Sequence, residues 1–496
     1  MIELYRRYFV RKIYLLLLPL VLTGCLCLLE GDNTNPVSPY TSVEDLDRGH
    51  HLLIKKGLQI HGLVLDNVHF DRALWDASGF TTANFWAFHV PEFLEENTDM
   101  PWARWAGGRE IENAALSQEE YPFLDTLISL QAGDEQDLRD PDNLAEIVEV
   151  LRMWREHYPN VIGYVNQGAS QYKTVAAFMA EAVPDMIMMD TYPLNDEEEV
   201  LDIPRNRGGS PQRLYEHIQQ FRKLALAGND GSGRQPIPYA LYTQTFYELE
   251  GRWNGIVSES QMYLNQFAAW AAGYKMVCSF IYNRLPNHGT LRPIFFELPD
   301  ASSIPTERFY QVAELNRQAR NLGAALVCLL STDFRIVSGR YINRWQVIGT
   351  HEERIPLPKG VCAWTPGADP YLMDIHAENM GESNDGLPGD ILIGSFVPLY
   401  EELDGFNYQG EHYFMIVNSL SSPESNIDDT RQKVHIVFDF GDSGITRLLR
   451  LSRYTGLVET VPLTIIGENI YSLDILLDGG TGDLFKYDTQ APFVGI

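Results

Sequence analysis

The sequence predicts an α/β protein: a (β/α)8 barrel followed by a C-terminal antiparallel β-sandwich. Up to about residue 325, short apolar runs alternate with longer amphipathic segments, whereas beyond residue 350 only strand-like runs and turn residues remain. The first pattern is typical of a parallel sheet covered by helices, and the second of a sandwich. With 496 residues and 45% hydrophobic content, the chain is long enough to form both units. We expect the barrel to span 51–345 and the C-terminal domain 346–496.

Strand candidates number one fewer than a closed barrel of eight requires. A degenerate unit in the irregular region 89–120 is expected to supply the missing strand. The alternative is an open doubly wound sheet, which is disfavoured because no Gly-rich phosphate loop follows the first strand. The seven candidates are 57–65, 82–88, 127–135, 161–167, 186–193, 236–246 and 275–283.

Residues with strong capping preferences mark the ends of the predicted helices. Pro141 begins a long amphipathic helix, and Gly228 ends a later one. Ser258 and Gln261 have the spacing of a capping box, in which each side chain bonds the backbone of the other. These signals fix the helices between the strands.

The N-terminus has the layout of an export signal. Four basic residues precede the apolar run 13–22, which is too short to span a bilayer comfortably. The run ends in Leu-Thr-Gly-Cys and resembles a bacterial lipoprotein signal, so we expect a signal peptide over 1–24, lipidation of Cys25 and a polar tether over 25–50. Leu26 rather than Asp follows, which by this resemblance favours an extracytoplasmic location, anchored to the outer membrane. The alternatives are an ordinary secretory signal and a buried cysteine.

The charge of the chain excludes one class of partner. Lys and Arg number 38 against 67 Asp and Glu, a formal net charge of −29. Such a surface repels phosphate backbones, so no nucleic-acid partner is expected. The predicted strand ends carry no convincing His/Cys/Asp/Glu ligand set, and we expect neither a metal site nor a cofactor.

The ends of the predicted barrel strands carry carboxylates, amides and aromatic rings. Barrel active sites lie at these carboxyl ends, where Asp134 and Glu135 follow an apolar run. Rings stack on sugar faces, amides bind hydroxyl groups, and cleaving a glycosidic bond needs an acid and a second carboxylate. A neighbouring carboxylate raises the pKa of such an acid. The alternative interpretation is a solvated acidic turn.

Beyond these residue patterns, the chain resembles clan-A (β/α)8 glycoside hydrolases over about 55–325. The closest resemblance is to family-42-like, β-galactosidase-type barrels of polysaccharide-degrading bacteria. It implies that Glu135 is the general acid/base and that Asn166, Asp190 and Tyr192 line the sugar subsite. The motifs, in order, are GDEQ, YVNQ, DMIMMDTYP, PYALYTQTF and SESQMYLNQFAAWAAGYKMVCSFIYN.

The sequence departs from that family at the end of its seventh strand. There the hydrolases carry a nucleophilic Glu, whereas Gln244 stands near this place, and an amide cannot form the covalent intermediate. Glu248 and Glu259 are the candidates for the second carboxylate, although Glu259 also suits the first turn of a helix. Otherwise the enzyme is inverting, or it only binds. Gln244 itself is a candidate for binding substrate. The further substrate-binding candidates, each with core packing or a surface position as the alternative, are Asp134, Trp86, Trp253 and Tyr282.

The sequence therefore predicts a lipid-anchored glycoside hydrolase that acts on a β-linked oligo- or polysaccharide, with Glu135 as general acid/base. One rival is a non-catalytic glycan-binding lipoprotein on a decayed hydrolase barrel. The other is a structural envelope lipoprotein, which predicts no pocket at the strand ends.

Overall fold

A computed structural model of the chain describes most of the residues after position 37. The predicted signal peptide and Cys25 lie outside the described residues. Within them, no helix combines the length and the apolar character that a membrane span requires. The described residues are 38–66, 69–86, 91–105, 114–194, 211–251, 253, 255–284, 290–297, 304–343, 351–353, 357–403, 405–423, 425–489 and 491–496.

Eight parallel strands close into a barrel, as the sequence predicts. The strand expected within 89–120 is Trp102–Trp105, which pairs with its neighbours on both sides. A short antiparallel pair, β8 (Phe246–Glu248) with β10 (Leu291–Pro293), lies beside the last barrel strand. The barrel strands are β1 (Gln59–Val64), β2 (Thr82–Phe85), β3 (Trp102–Trp105), β4 (Leu127–Asp134), β5 (Ile162–Gly168), β6 (Met186–Asp190), β7 (Tyr239–Gln244) and β9 (Met276–Asn283).

Helices cover the outside of the barrel, and their ends follow the predicted signals. The Ser258–Gln261 capping box is present, and Gly228 caps the helix before it. The α-helices of the described residues are α1 (Arg48–Lys56), α2 (Arg72–Ser78), α3 (Pro91–Glu96), α4 (Pro141–His157), α5 (Tyr172–Ala182), α6 (Gln212–Ala227), α7 (Glu259–Ala271) and α8 (Glu307–Val327).

The predicted tether 25–50 is too long at its C-terminal end. Tyr40 is buried, bridges to Tyr400 and donates a hydrogen bond to Pro236 O at 3.4 Å. Helix α1 then begins at Arg48 and buries Leu52 and Leu53. Residues 38–50 are packed against the protein because their apolar side chains are taken out of water.

The C-terminal region forms antiparallel sheets, with one parallel pair between β11 and β14. Its first strand follows α8 directly and so begins before the boundary expected at 346. A seven-stranded sheet has the order β14-β11-β16-β19-β25-β21-β22, and a four-stranded sheet has the order β15-β20-β24-β23. The strands are β11 (Leu329–Val337), β12 (Tyr341–Asn343), β13 (His351–Glu353), β14 (Cys362–Ala363), β15 (Leu372–Asn379), β16 (Ile391–Pro398), β17 (Glu402–Leu403), β18 (Phe406–Asn407), β19 (Tyr413–Asn418), β20 (Gln432–Asp439), β21 (Leu448–Leu451), β22 (Val458–Val461), β23 (Thr464–Gly467), β24 (Ile470–Leu477) and β25 (Gly482–Tyr487).

Both large C-terminal sheets contribute to one hydrophobic core. Ile393 and Phe414 come from the seven-stranded sheet, and Ile436 and Ile475 from the four-stranded sheet. The sandwich itself stays a prediction. The seven-stranded sheet also packs on helix α7 of the barrel, where a Cβ at Gly394 would lie 1.8 Å from Ala271 O.

Candidate active site

Three neighbouring barrel strands bring acidic and amide side chains to one place. Asp134 ends β4, Asn166 lies near the end of β5, and Asp190 ends β6. Asp134 is in register with Asn166, and Gly168 with Asp190. Because the strands are parallel, all three polar residues lie at the carboxyl end of the barrel, where barrel enzymes carry their active sites.

An irregularity in β4 positions the acidic pair. Between Gln131 and Asp134 this strand has one residue more than β5, which makes a bulge. Gly133 has φ 85° and Glu135 has φ 49°, and residues other than glycine seldom adopt positive φ values. Backbone strain of this kind clusters at functional sites. The bulge thus re-aims the side chains at the end of the strand.

Glu135 is accommodated because its neighbour on β5 is a glycine. A Cβ placed on Gly168 would lie 2.6 Å from Glu135 Oε1. Gly168 has ordinary backbone angles, φ −54° and ψ 135°, so its conformation does not require glycine. What requires glycine there is the space that the carboxylate occupies.

A hydrogen-bond network connects the acids to the barrel interior. Asn166 Nδ2 donates to Asp134 Oδ1 at 2.8 Å and to Asp190 Oδ1 at 3.2 Å. Gln131 Nε2 donates to the same oxygen of Asp134 at 3.2 Å, and Tyr242 OH donates to Gln131 Oε1 at 2.8 Å. Asn166, Gln131 and Tyr242 are buried, so the hydrogen bonds fix Asp134 and Asp190 to the interior of the barrel.

The acids raise one another's pKa. Burial raises the pKa of Asp134, while hydrogen bonds from Asn166 and Gln131 hold it down. Partial burial and then the charge of Asp134 raise the pKa of Glu135, which is the most exposed of the three. Burial and the charges of Glu135 and Asp134 raise the pKa of Asp190 well above its usual range. Glu135 and Asp190 are hydrogen-bonded to each other, so the pair retains a shared proton at a higher pH than separate carboxyls do.

Aromatic rings complete a cavity of about 210 Å³ around the acids. Tyr192 and Phe280 stack with ring centroids 5.5 Å apart, and Trp86 meets Trp105 edge to face at 5.8 Å. A cavity lined by both carboxyl groups and aromatic rings suits a ligand with hydroxyl groups and apolar faces. The lining residues are Leu63, Trp86, Trp105, Gln131, Asp134, Glu135, Asn166, Asp190, Tyr192, Tyr242, Phe246, Trp253, Phe280 and Leu291.

Most of the residues that the sequence singles out lie in this cavity, and four do not. Those in its lining are Asp134, Glu135, Trp86, Asn166, Asp190, Tyr192 and Trp253. Those outside its lining are Glu248, Glu259, Gln244 and Tyr282.

The two carboxylates considered for the second catalytic role are engaged elsewhere. Glu259 opens helix α7 and accepts a hydrogen bond from Ile427 N, in the C-terminal region, at 3.2 Å. Glu248 ends β8, which pairs with β10, and it accepts a hydrogen bond from the Thr290 hydroxyl at 3.3 Å. Neither residue is among those that line the cavity.

Gln244 and Tyr282 are buried structural residues. The Gln244 amide accepts from Leu194 N at 3.0 Å and donates to Leu194 O at 2.7 Å, so its hydrogen bonds hold the loop after β6. The Tyr282 ring packs edge to face on Trp75, with centroids 5.0 Å apart, and on Phe296 at 5.2 Å. Both side chains have buried partners and lie outside the cavity lining, and their contact with substrate stays a prediction.

The lining also contains residues that the site prediction did not name, among them Gln131, Tyr242 and Phe280. Gln131 and Tyr242 lie inside strands rather than at their ends. The available signal for Gln131 was a long polar side chain in an otherwise apolar strand, where it must find a buried partner.

Within the described residues, no group of three or more His, Cys, Asp and Glu is arranged to hold a metal ion.

Comparisons with known proteins give remote likenesses. No protein-family model and no curated protein sequence matches the chain. A GH2 β-galacturonidase from Eisenbergiella tayi aligns at 11% identity over 52% of this chain and 51% of its own, with a TM-score of 0.36. A β-galactosidase from Marinomonas ef1 aligns at 11% identity over 53% of this chain and 60% of its own, with a TM-score of 0.37. A GH27 β-L-arabinopyranosidase from Geobacillus stearothermophilus aligns at 9% identity over 89% of this chain and 99% of its own, with a TM-score of 0.40.

The chain thus spans about half of the galacturonidase and 60% of the galactosidase. Function is inferred below from the site itself.

Proposed function

We propose that this protein is a glycoside hydrolase that cleaves a β-linked oligo- or polysaccharide, with Glu135 as the general acid/base. The observation that carries the proposal is the convergence of Asp134, Glu135 and Asp190 at the carboxyl end of the barrel, against a ring-walled cavity. Perturbed carboxyls in a cleft are typical of catalytic groups.

The chemistry follows from the protonation of the cluster. Because the pKa of Glu135 is raised, it can retain a proton closer to neutral pH and deliver it to the leaving oxygen of a glycosidic bond. Asp134 is held by amide donors that favour its ionised form, and a negative charge there stabilises the positive charge that develops on the sugar ring.

The aromatic wall gives the sugar its orientation. Trp86 and Trp253 present faces or edges to the cavity, and Tyr192 packs between Phe246 and Phe280. The apolar C–H faces of a pyranose pack on such rings while its hydroxyl groups reach the amide and carboxyl oxygens opposite.

The location of the protein is part of the proposal. The signal-like sequence over 1–24 and Cys25 support an extracytoplasmic protein that is lipid-anchored to the outer membrane. The polysaccharide and the lipid anchor are the partners proposed, and no nucleic acid is among them.

A glycan-binding protein without hydrolysis is the second candidate. It is favoured by the end of β7, where Gln244 is buried and bonded to Leu194, so that no nucleophile stands at this strand end. Such a protein would bind a glycan in the same cavity and release nothing.

The test is reducing-sugar release from a panel of β-linked glycans by the full chain and by Glu135→Gln. We expect the variant to lose about 10²–10⁴-fold of the activity, the usual contribution of a general acid/base. The matched control is Glu119→Gln at an exposed position, which should match the wild type.

Two results would contradict the proposal. Equal activity of the wild type and Glu135→Gln removes Glu135 from the mechanism. Glycan binding by both proteins, measured by affinity electrophoresis and without product from either, supports the second candidate instead.

A further inference from the structure

The end of β7, where the resemblance places a nucleophilic Glu, carries Gln244 instead, and its amide is bonded to Leu194. Enzymes that use two carboxyls hold them about 5–5.5 Å apart when a carboxylate attacks, and about 6.5–9.5 Å apart when a water does. Glu248 and Glu259, the other carboxylates considered for this role, lie outside the lining of the cavity. Among the described residues, the acids that line the cavity come from the end of β4, from the residue after it and from the end of β6, on the two sides of β5.

Asp134 has a free acceptor beside the acid. Both amide donors, Asn166 Nδ2 and Gln131 Nε2, bond to Oδ1. No hydrogen bond to Oδ2 is formed within the described part of the chain, although Asp134 lines the cavity. A carboxylate held this way can accept an N–H from a ligand, and its partners keep it from turning away.

The remaining walls suit a small apolar group. Phe246, Phe280 and Trp253 meet edge to face, with Phe246 at 5.4 Å from each of the other two. A ligand group with an N–H at one end and a methyl at the other would place the N–H on Asp134 and the methyl against rings. An acetamido substituent next to the anomeric carbon has this chemistry.

We propose that the substrate is a β-linked 2-acetamido sugar whose own amide oxygen replaces the missing nucleophile. The inference rests on the proposed function and names its substrate class. Asp134 and Glu135 then have distinct roles: Asp134 binds and orients the acetamido N–H, and Glu135 handles the proton of the leaving group.

The first step balances within the site. The acetamido carbonyl oxygen bonds to C1 as the bond from C1 to the leaving oxygen breaks, and the electron pair of that bond takes the proton of Glu135. The product is a cyclic oxazolinium ion, whose positive charge is offset by ionised Asp134 against its N–H.

The second step restores the sugar and the acid. Glu135, now ionised, accepts a proton from water as the water oxygen attacks C1. The bond from C1 to the amide oxygen breaks, its electrons return to the amide, and the β configuration is retained. No metal or redox partner is needed.

The first experiment compares chromogenic substrates on the full chain. The probes are 4-nitrophenyl β-N-acetylglucosaminide and β-N-acetylgalactosaminide, against the 4-nitrophenyl β-glucoside and β-galactoside. We expect kcat/KM to be at least about 10²-fold higher for the acetamido sugars, because only they bring the nucleophile. Replacing acetyl by trifluoroacetyl should lower kcat steeply, since fluorine withdraws electrons from the attacking oxygen.

The second experiment uses Asp134→Asn and a thiazoline analogue of N-acetylglucosamine, which mimics the cyclic intermediate. The Asn side chain turns a donor or a neutral oxygen toward the acetamido N–H, so we expect kcat to fall about 10²–10³-fold and thiazoline affinity to fall with it. The control is Asp137→Asn, an exposed acid paired with Arg139, which should change neither.

The outcomes separate this inference from the proposed function. Glu135-dependent hydrolysis of the glucoside or galactoside without preference for acetamido sugars overturns the inference and leaves the hydrolase. Thiazoline binding that depends on Asp134, with no hydrolysis of any probe, supports the inferred ligand class and overturns the hydrolase. If the protein neither hydrolyses any probe nor binds the thiazoline, the inference and the proposed function are both overturned.

Discussion

The two ends of the barrel give their acids different partners. At the amino end, Asp185 is buried before β6, pairs with Arg48 of α1 and accepts Gly163 N at 2.7 Å. At the carboxyl end, Asp134, Glu135 and Asp190 bond to amides and to one another. In the described part of the chain, no Lys or Arg forms an ion pair with these three.

The difference distinguishes an acid that has a cation partner from acids that have only amides and other acids around them. Taking a carboxylate out of water is costly, and a cation in contact offsets part of that cost. Burial raises the pKa of Asp185 even so, but Arg48 and the Gly163 N–H oppose it. At the carboxyl end the neighbouring acids add to the effect of burial. Carboxyl groups whose pKa values are raised in this way are found most often at functional sites.

The largest expected effect tests the structural side of the comparison. Glu120 and Arg104 are both fully buried, with Oε1 and Nε 2.9 Å apart. Glu120→Ala leaves the guanidinium without its counter-ion, so the free energy of unfolding should fall by about 3–5 kcal/mol in urea denaturation. The exposed pair Asp137–Arg139 is the control, and Asp137→Ala should leave the midpoint where it was. Equal effects at both sites would mean that burial does not distinguish these pairs.

Next in size is the effect of filling the space beside Glu135. In Gly168→Ala the new methyl contacts Oε1 and displaces the carboxylate, and displacements of about 1 Å at a reacting group cost about 10²-fold in rate. The melting temperature should stay close to that of the wild type, because the atoms that the methyl meets all belong to Glu135.

A double mutant checks that the loss acts through this acid. Gly168→Ala should add nothing to Glu135→Gln if the methyl acts only on that side chain. An additive loss would mean that Gly168 serves another purpose.

The smallest effect is on the pH dependence of stability. The pKa of Asp190 in the folded protein is raised above 3.8, the ordinary pKa of aspartate. The protein therefore loses stability as pH rises from 3.8 through the pKa that Asp190 has in the folded state. Asp190→Asn removes this loss. We therefore expect thermal unfolding to shift upward at neutral pH and to vary less between pH 4 and 8, while hydrolysis falls. A variant less stable than the wild type at pH 7 and unchanged at pH 4 would reverse this assignment.

Periodicity and strand-end position predicted the barrel and most of the acidic half of the site. Asp134, Asn166 and Asp190 were identifiable because parallel strands bring their carboxyl ends together. Even the short strand Trp102–Trp105 was expected from the count of the others.

What could not be predicted depended on side-chain direction and on contacts distant in sequence. Gln244 sits at a strand end but turns to bond Leu194, and Glu259 is held by Ile427, 168 residues later. Gln131 reaches Asp134 through a bulge that the alternation of strand residues does not reveal. The pattern gives positions along a strand, whereas curvature and bulges decide which way they face.

The strap formed by residues 38–47 has a consequence for how the molecule stands on a surface. Tyr40 bonds to Pro236, just ahead of β7, and the α1 helix that follows is fixed to Asp185, just ahead of β6. The first described residues therefore lie at the amino end of the barrel, whereas the cavity lies at its carboxyl end. If Cys25 carries a lipid, as proposed, the anchored segment would join the fold at the end of the barrel opposite the cavity.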